Sequence, residues 1–167
     1  MTDKLVNQDI ETSSPYIFDS DSSLDHVKIG WTRQSAQGRL AGWSECGYTP
    51  NLLFTVDLVP HAQRAETLVH YELIKERRWG RNCQACQRSH IEWFEVSIKR
   101  AREVVGDWAK FMKLAEPYDL EGFLKDQWHD FVTETDKRRE PVTVKRLLEH
   151  YELSRLNELL SEMGVTE

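Results

Sequence analysis

Cysteine is scarce in this chain: three among 167 residues, an odd number with two of them only three positions apart. That argues against a secreted scaffold held by disulfides. Long apolar runs are missing as well, and none approaches the roughly 18–20 residues that a membrane span requires. Residues 1–25 lack a basic-then-apolar leader pattern, and no internal repeat or low-complexity tract interrupts the chain. These absences point to an intracellular protein, cytoplasmic or nuclear, without a membrane partner.

What is present is a globular balance, 40% hydrophobic and 30% charged residues, enough to build one core with a small appendage. The net charge of −6 hides a segregation. Residues 1–25 carry one base and six acids, residues 26–113 fourteen bases and nine acids, and residues 114–167 seven bases and thirteen acids. A mildly basic middle between acidic flanks is compatible with a polyanionic partner.

The first 13 residues are polar and read as a flexible N-terminus. Tyr16-Ile17-Phe18 and His26 to Thr32 read as two short strands around a polar turn, an antiparallel hairpin. Ser35 can cap a helix carrying Leu40, Trp43 and Cys46 that ends near Gly47. Asn51 to Val59 reads as a strand buried on both faces, and Pro60 closes it. His61 to Arg77 has helical spacing, Gly80 to Ser89 is an irregular polar loop, and Glu92-Trp93-Phe94 lies on a further strand. Ile98 to Met112 is an amphipathic helix. Beyond Pro117 the pattern predicts a short helix over Leu120 to Phe131, a charged linker from Thr133 to Glu140, and a helix from Val144 to Met163 with a broad apolar stripe. The expected architecture is α+β: a small, mainly antiparallel sheet of three or four strands flanked by helices over residues 14–115, with an acidic helical extension over 116–167.

Cys83-x2-Cys86-x3-His90 places two thiolates and an imidazole within eight residues. Tetrahedral Zn²⁺ takes four such ligands, and a two-residue gap lets both thiolates reach one ion. Cys46 is the expected fourth ligand, with His70 the alternative. Arg77, Arg78, Arg81 and Arg88, beside Trp79, bracket this loop and form a candidate nucleic-acid contact, with Lys99, Arg100 and Arg102 following the last strand. The apolar helix from Val144 to Met163 is a candidate surface for a protein partner, and the acidic extension a candidate lid over the basic face.

Five short motifs stand in order: Tyr16, Lys28-Ile29-Gly30, Arg39-Leu40, Glu66-x3-His70 and Glu92-Trp93-Phe94. In this order and spacing the stretch from about residue 15 to 112 resembles the GIY-YIG nuclease superfamily. It is most similar to the phage and fungal branch described as a DNA-binding domain, in which KIG replaces YIG. The resemblance implies a metal-dependent endonuclease acting on DNA, branched or single-stranded forms included. It assigns Glu66 as ligand of Mg²⁺ or Mn²⁺, Arg39 as the phosphate-stabilising cation, Tyr16 as the group that deprotonates or orients water, Lys28 as charge stabiliser or as a base of lowered pKa, and His70 as the group that orients the Glu66 carboxylate or relays a proton. Two departures, Ser14-Pro15-Tyr16 in place of Gly-Ile-Tyr and Lys28 at the second tyrosine, imply the alternative of a binding module without turnover.

Overall fold

The computed structural model describes residues 13–20, 26–78 and 82–164. Among the described residues are five strands: β1 (Ser14–Ser20), β2 (Val27–Thr32), β3 (Pro50–Thr55), β4 (Arg77–Arg78) and β5 (Trp93–Phe94). Five helices accompany them: α1 (Ala36–Ser44), α2 (Ala62–Glu72), α3 (Ile98–Ala115), α4 (Asp126–Lys137) and α5 (Val144–Glu162). The strands form one sheet in the order β3-β1-β2-β5-β4, every pairing antiparallel. The architecture is α+β, as the element pattern predicts. The expected turn between β1 and β2 lies outside the described residues, as does the expected flexible N-terminus through residue 12.

The register sets two faces. Tyr16 lies opposite Gly30, and Lys28 opposite both Phe18 and Trp93. Because side chains alternate along a strand, Tyr16, Phe18, Lys28 and Trp93 share a face, and α1 closes it with Ala36, Leu40 and Trp43. The opposite face presents Ile17, Ile29, Val27 and Phe94, all buried. Here His70 of α2 packs its ring 4.9 Å from that of Phe94. Ser35 caps α1 as expected, its Oγ accepting from Gly38 N at 3.1 Å, a contact worth about 1 kcal/mol. Gly47, at φ +78°, turns the chain away after the helix.

Four expectations require correction. β3 stops at Thr55 and is an edge strand, so Leu52, Leu53 and Phe54 are half-buried rather than covered on both faces. The helix expected over His61 to Arg77 ends at Glu72, and Arg77 and Arg78 instead extend the sheet as β4. No helix begins at Leu120: Phe123 N donates to Asp119 Oδ1 at 2.7 Å, Gly122 adopts φ +84°, and the helix starts at Asp126. The charged stretch from Thr133 is the continuation of α4 to Lys137, not a linker.

The chain divides into two compact units between Lys113 and Leu114. In the second, α5 buries Val144, Leu147 and Leu148 near its start, whereas Leu153, Leu156, Leu159 and Met163 are exposed. Among the described residues no helix is long and apolar enough to cross a membrane.

Candidate nucleic-acid interface and metal centre

Neighbouring strands and two helices gather one polar cluster in the first unit. Tyr16 comes from the middle of β1, and the absence of a side chain opposite it makes room for the phenol. A Cβ added at Gly30 would lie 2.7 Å from Tyr16 Oη and 2.9 Å from Cζ. The KIG glycine is thus a packing requirement of the tyrosine. Two residues earlier on β2, Lys28 is fully buried and ion-paired with Glu92. Its Nζ also sits 4.2 Å from the centroid of the Trp43 indole, a placement that favours a cation. Burial nevertheless pushes the ammonium pKa down, against the opposing pull of Glu92 and Glu66.

Arg39 and Trp43, four residues apart on α1, share a helix face. The exposed Arg39 guanidinium lies 5.4 Å from the indole centroid. Arg39 and Trp43 both favour the ionised form of Tyr16, but burial outweighs them and raises the phenol pKa. With 2% of its surface exposed, Tyr16 is a neutral hydroxyl, shut off from bulk water in this conformation.

On α2, Glu66 and His70 are one turn apart, with Nε2 of His70 3.8 Å from the Glu66 carboxylate. That nitrogen is also 3.1 Å from the carbonyl oxygen of Ile29, which anchors the helix to β2. Burial pushes the His70 pKa down. The Glu66 side chain is only 13% exposed. Burial and the Glu92 carboxylate raise its pKa to about 7, despite the attraction of Lys28 and Arg77. The five residues expected from the motifs therefore fall in one electrostatic neighbourhood. Two members that the motif reading left without a role, Glu92 and Trp43, hold its centre. The signal for Glu92 was its place in the Glu-Trp-Phe motif; for Trp43 it was the spacing of four from Arg39.

The expected arginine cluster divides. Arg77 donates Nε to Ile91 O at 2.8 Å and lines an open pocket of about 260 Å³ with Thr67, His70, Tyr71 and Ile74. It acts electrostatically on Glu66 and His70, so it belongs to the polar cluster. Arg78 is held by the Glu95 carboxylate at 2.5 Å and by the carbonyl oxygen of Lys75. Arg88 is exposed on the cysteine loop. Arg81 and Trp79 lie outside the described residues. Among the bases after β5, Arg102 donates to Leu53 O at 2.7 Å and Arg100 pairs with Glu72 at 3.4 Å.

Residues 82–89 of the cysteine loop form a tight hairpin. Asn82 bridges to Ser89, and Cys83 N donates to Arg88 O at 2.9 Å. The fold brings Cys46, from the turn after α1, against this hairpin. One donor atom from each of Cys46, Cys83, Cys86 and His90 lies within 4.8 Å of the others. His70, the alternative fourth ligand, is committed elsewhere. Cys86 Sγ and His90 Nε2 are 3.5 Å apart, close to the ~3.6 Å edge of a tetrahedron built from ordinary Zn–S and Zn–N bond lengths. The Cys86 backbone and His90 lower the Cys83 thiol pKa to about 6. Burial and the two neighbouring thiols raise that of Cys46 to about 11. Donors crowded so that their charges oppose one another are what a cation relieves. This Cys₃His group can hold a metal ion such as zinc.

Residues 14–109 match the T5orf172 domain. No curated protein and no solved structure matches the chain.

Proposed function

The chain belongs to the T5orf172 domain family, a GIY-YIG-like, nuclease-associated domain, and from that premise we propose that residues 14–115 bind DNA through a backbone phosphate met by the exposed Arg39 guanidinium. The observation that carries this reading is the gathering of Arg39, Lys28 and Tyr16 about the Trp43 indole, with Arg39 exposed at the surface. A guanidinium at the surface meets a phosphate as a planar fork. The neutral Tyr16 hydroxyl and the Lys28 charge lie behind it. The burial of Tyr16 and the engagement of Lys28 with Glu92 favour binding over turnover, because neither group is free to take a proton from a solvent water. Zn²⁺ at Cys46, Cys83, Cys86 and His90 holds the cysteine hairpin to the end of α1 as a structural ion.

Phosphodiester hydrolysis is the second reading, and Glu66 favours it. A carboxylate with its pKa raised to about 7 would regain its charge beside a divalent ion; Glu66 would hold Mg²⁺ or Mn²⁺, which would supply Lewis-acid polarisation of a phosphoryl oxygen. Arg39 would meet charge developing on the phosphate, and His70 would orient the carboxylate.

Electrophoretic and fluorescence binding to duplex, branched and single-stranded DNA, with and without Mg²⁺ or Mn²⁺, separates these readings. Salt-sensitive binding, weakened about tenfold by Arg39→Ala and unaccompanied by cleavage, supports the module. Cleavage lost in Glu66→Ala makes the domain an endonuclease. Binding that ignores both salt and Arg39 overturns the proposal.

A further inference from the structure

Trp43 touches both halves of this unit. Three residues after it, Cys46 donates its backbone N–H to Trp43 O at 3.0 Å, and Tyr48 N donates to the same carbonyl at 3.4 Å. The His90 imidazole stands edge-on to the indole, 4.9 Å between centroids at 71°. The first and last members of the Cys₃His group therefore grip Trp43, one through its backbone and one through its ring. The same ring carries Lys28 Nζ at 4.2 Å and the Arg39 guanidinium at 5.4 Å. Phe18 packs against it at 5.9 Å. The buried indole N–H also acts on Tyr16, favouring the ionised form of its phenol.

Resting on the reading that Arg39 meets a phosphate, we propose that Trp43 is a positioning residue that couples the two sites: metal binding at Cys46, Cys83, Cys86 and His90 fixes the indole, and the indole fixes Arg39 and Lys28 for the phosphate. The chemistry requires no strain. A metal ion locks the His90 ring plane, because coordination through Nε2 leaves the imidazole little freedom. An aromatic edge-to-face contact at this distance transmits that orientation. The cation–π contacts then place the two positive charges relative to Tyr16. Without the metal, His90 and the Cys46 turn relax, and Arg39 loses its platform while the sheet persists.

The test uses the full chain labelled with 5-fluorotryptophan, whose six tryptophans give separate ¹⁹F resonances, Trp43 being assigned from Trp43→Phe. Zn²⁺ titrated into metal-stripped protein shifts the Trp43 resonance and saturates at one equivalent, while Trp108 and Trp128 hold still. His90→Cys supplies a second route, since four thiolates also form a tetrahedral zinc set but the imidazole edge is gone. That variant retains one zinc, displaces the Trp43 resonance and binds DNA about fivefold or more weakly. Trp43→Leu shows a similar loss, and the double variant shows no further loss. A Trp43 resonance indifferent to Zn²⁺, or a zinc-loaded His90→Cys protein with full DNA affinity, overturns the coupling. If the wild-type chain binds no DNA, the phosphate reading falls, and the Trp43 resonance alone then decides whether metal and indole are linked.

Discussion

The fully buried ammonium of Lys28 is ion-paired with the carboxylate of Glu92, which stands 64 positions further along the chain at the entry to β5. Removing one partner of such a pair costs more than replacing both, because the survivor keeps its desolvation penalty. Glu92→Gln is expected to destabilise the protein by about 2–3 kcal/mol. This lies below the usual cost of stranding a buried charge, because Glu92 is 37% exposed and partly screened. Lys28→Met, which leaves only a solvated carboxylate, costs less than about 1 kcal/mol. Urea unfolding at pH 7 reads both, and a Lys28→Met protein less stable than Glu92→Gln contradicts the assignment.

Glu66 gives stability a pH dependence of unusual sign for a carboxylate. Its folded pKa of about 7 lies above its ordinary value of 4.5, so between those values the folded chain binds more protons than the unfolded one. Stability from this group is fully present below about pH 4.5, declines as pH rises, and is gone above about pH 7. The total is of the order of 3 kcal/mol. Glu66→Gln therefore gains stability relative to wild type as pH climbs from 5 to 8. His70, whose pKa is lowered by burial, works in the opposite sense and loses stability as pH falls below its ordinary 6.5. Comparing Glu66→Gln with wild type at each pH isolates the carboxylate. A constant difference across that window would remove the raised pKa.

Much of this arrangement is legible in the sequence where a period is long enough to repeat. α3 and α5 show their helical spacing, and β2 starts and stops at its β-branched and turn residues. What escapes is governed by pairing rather than pattern. β4 has two residues, both arginine, and joins the sheet only because β5 offers an unpaired edge. Leu120 and Phe123 look like the start of a helix, yet Asp119 captures the local backbone N–H and both apolar side chains are exposed. At the site, the motif order brings Tyr16, Lys28, Arg39, Glu66 and His70 to notice, and the cysteine spacing brings out the metal ligands. Neither discloses that Lys28 is consumed by Glu92 or that Trp43 lies under two cations. Those facts depend on which way strand neighbours point once Tyr16 has displaced a side chain at Gly30.

That displacement is itself testable. Gly30→Ala forces a methyl to within 2.7 Å of the Tyr16 hydroxyl, between two paired strands that cannot part without breaking the ladder. The expected cost is about 1–3 kcal/mol, the usual range for overpacking a core. Most of it disappears when the same substitution is made in a Tyr16→Ala background, because the clashing atoms are gone. A double-mutant cycle by thermal or urea unfolding measures the coupling, and additive effects would show that the glycine serves some other need.

The Cys₃His group predicts one Zn²⁺ per chain in protein purified without chelator, and Cys86→Ser is expected to abolish it. At free metal a thousandfold above Kd, binding contributes about 4 kcal/mol to stability. Stripping the ion with a strong chelator should therefore lower the melting temperature by roughly 10 °C for a domain of this size. Reconstitution with Zn²⁺ restores it, and Mg²⁺ does not, because thiolates favour the softer ion. Metal analysis at sub-stoichiometric levels, with no change on chelation, would leave the thiols as ordinary cysteines.

Arg77 and Arg78 are neighbours in sequence but have opposite expectations. Arg78 is already bound by Glu95 and by the Lys75 carbonyl, and both of these contacts would have to break before it met a phosphate. Arg77, anchored through its Nε to Ile91 O at 2.8 Å, is fixed at the open pocket beside His70 and lies within electrostatic reach of Glu66. Each phosphate contact contributes about 0.9 to the slope of log affinity against log salt. Arg77→Ala is expected to lower that slope by about one contact and to weaken DNA binding evenly across sequences. Arg78→Ala leaves the slope and the affinity as they were. Titrations of the two single variants from low to physiological salt make the comparison. A slope that falls for Arg78 and not for Arg77 places the DNA on the outer edge of β4 instead of over the pocket.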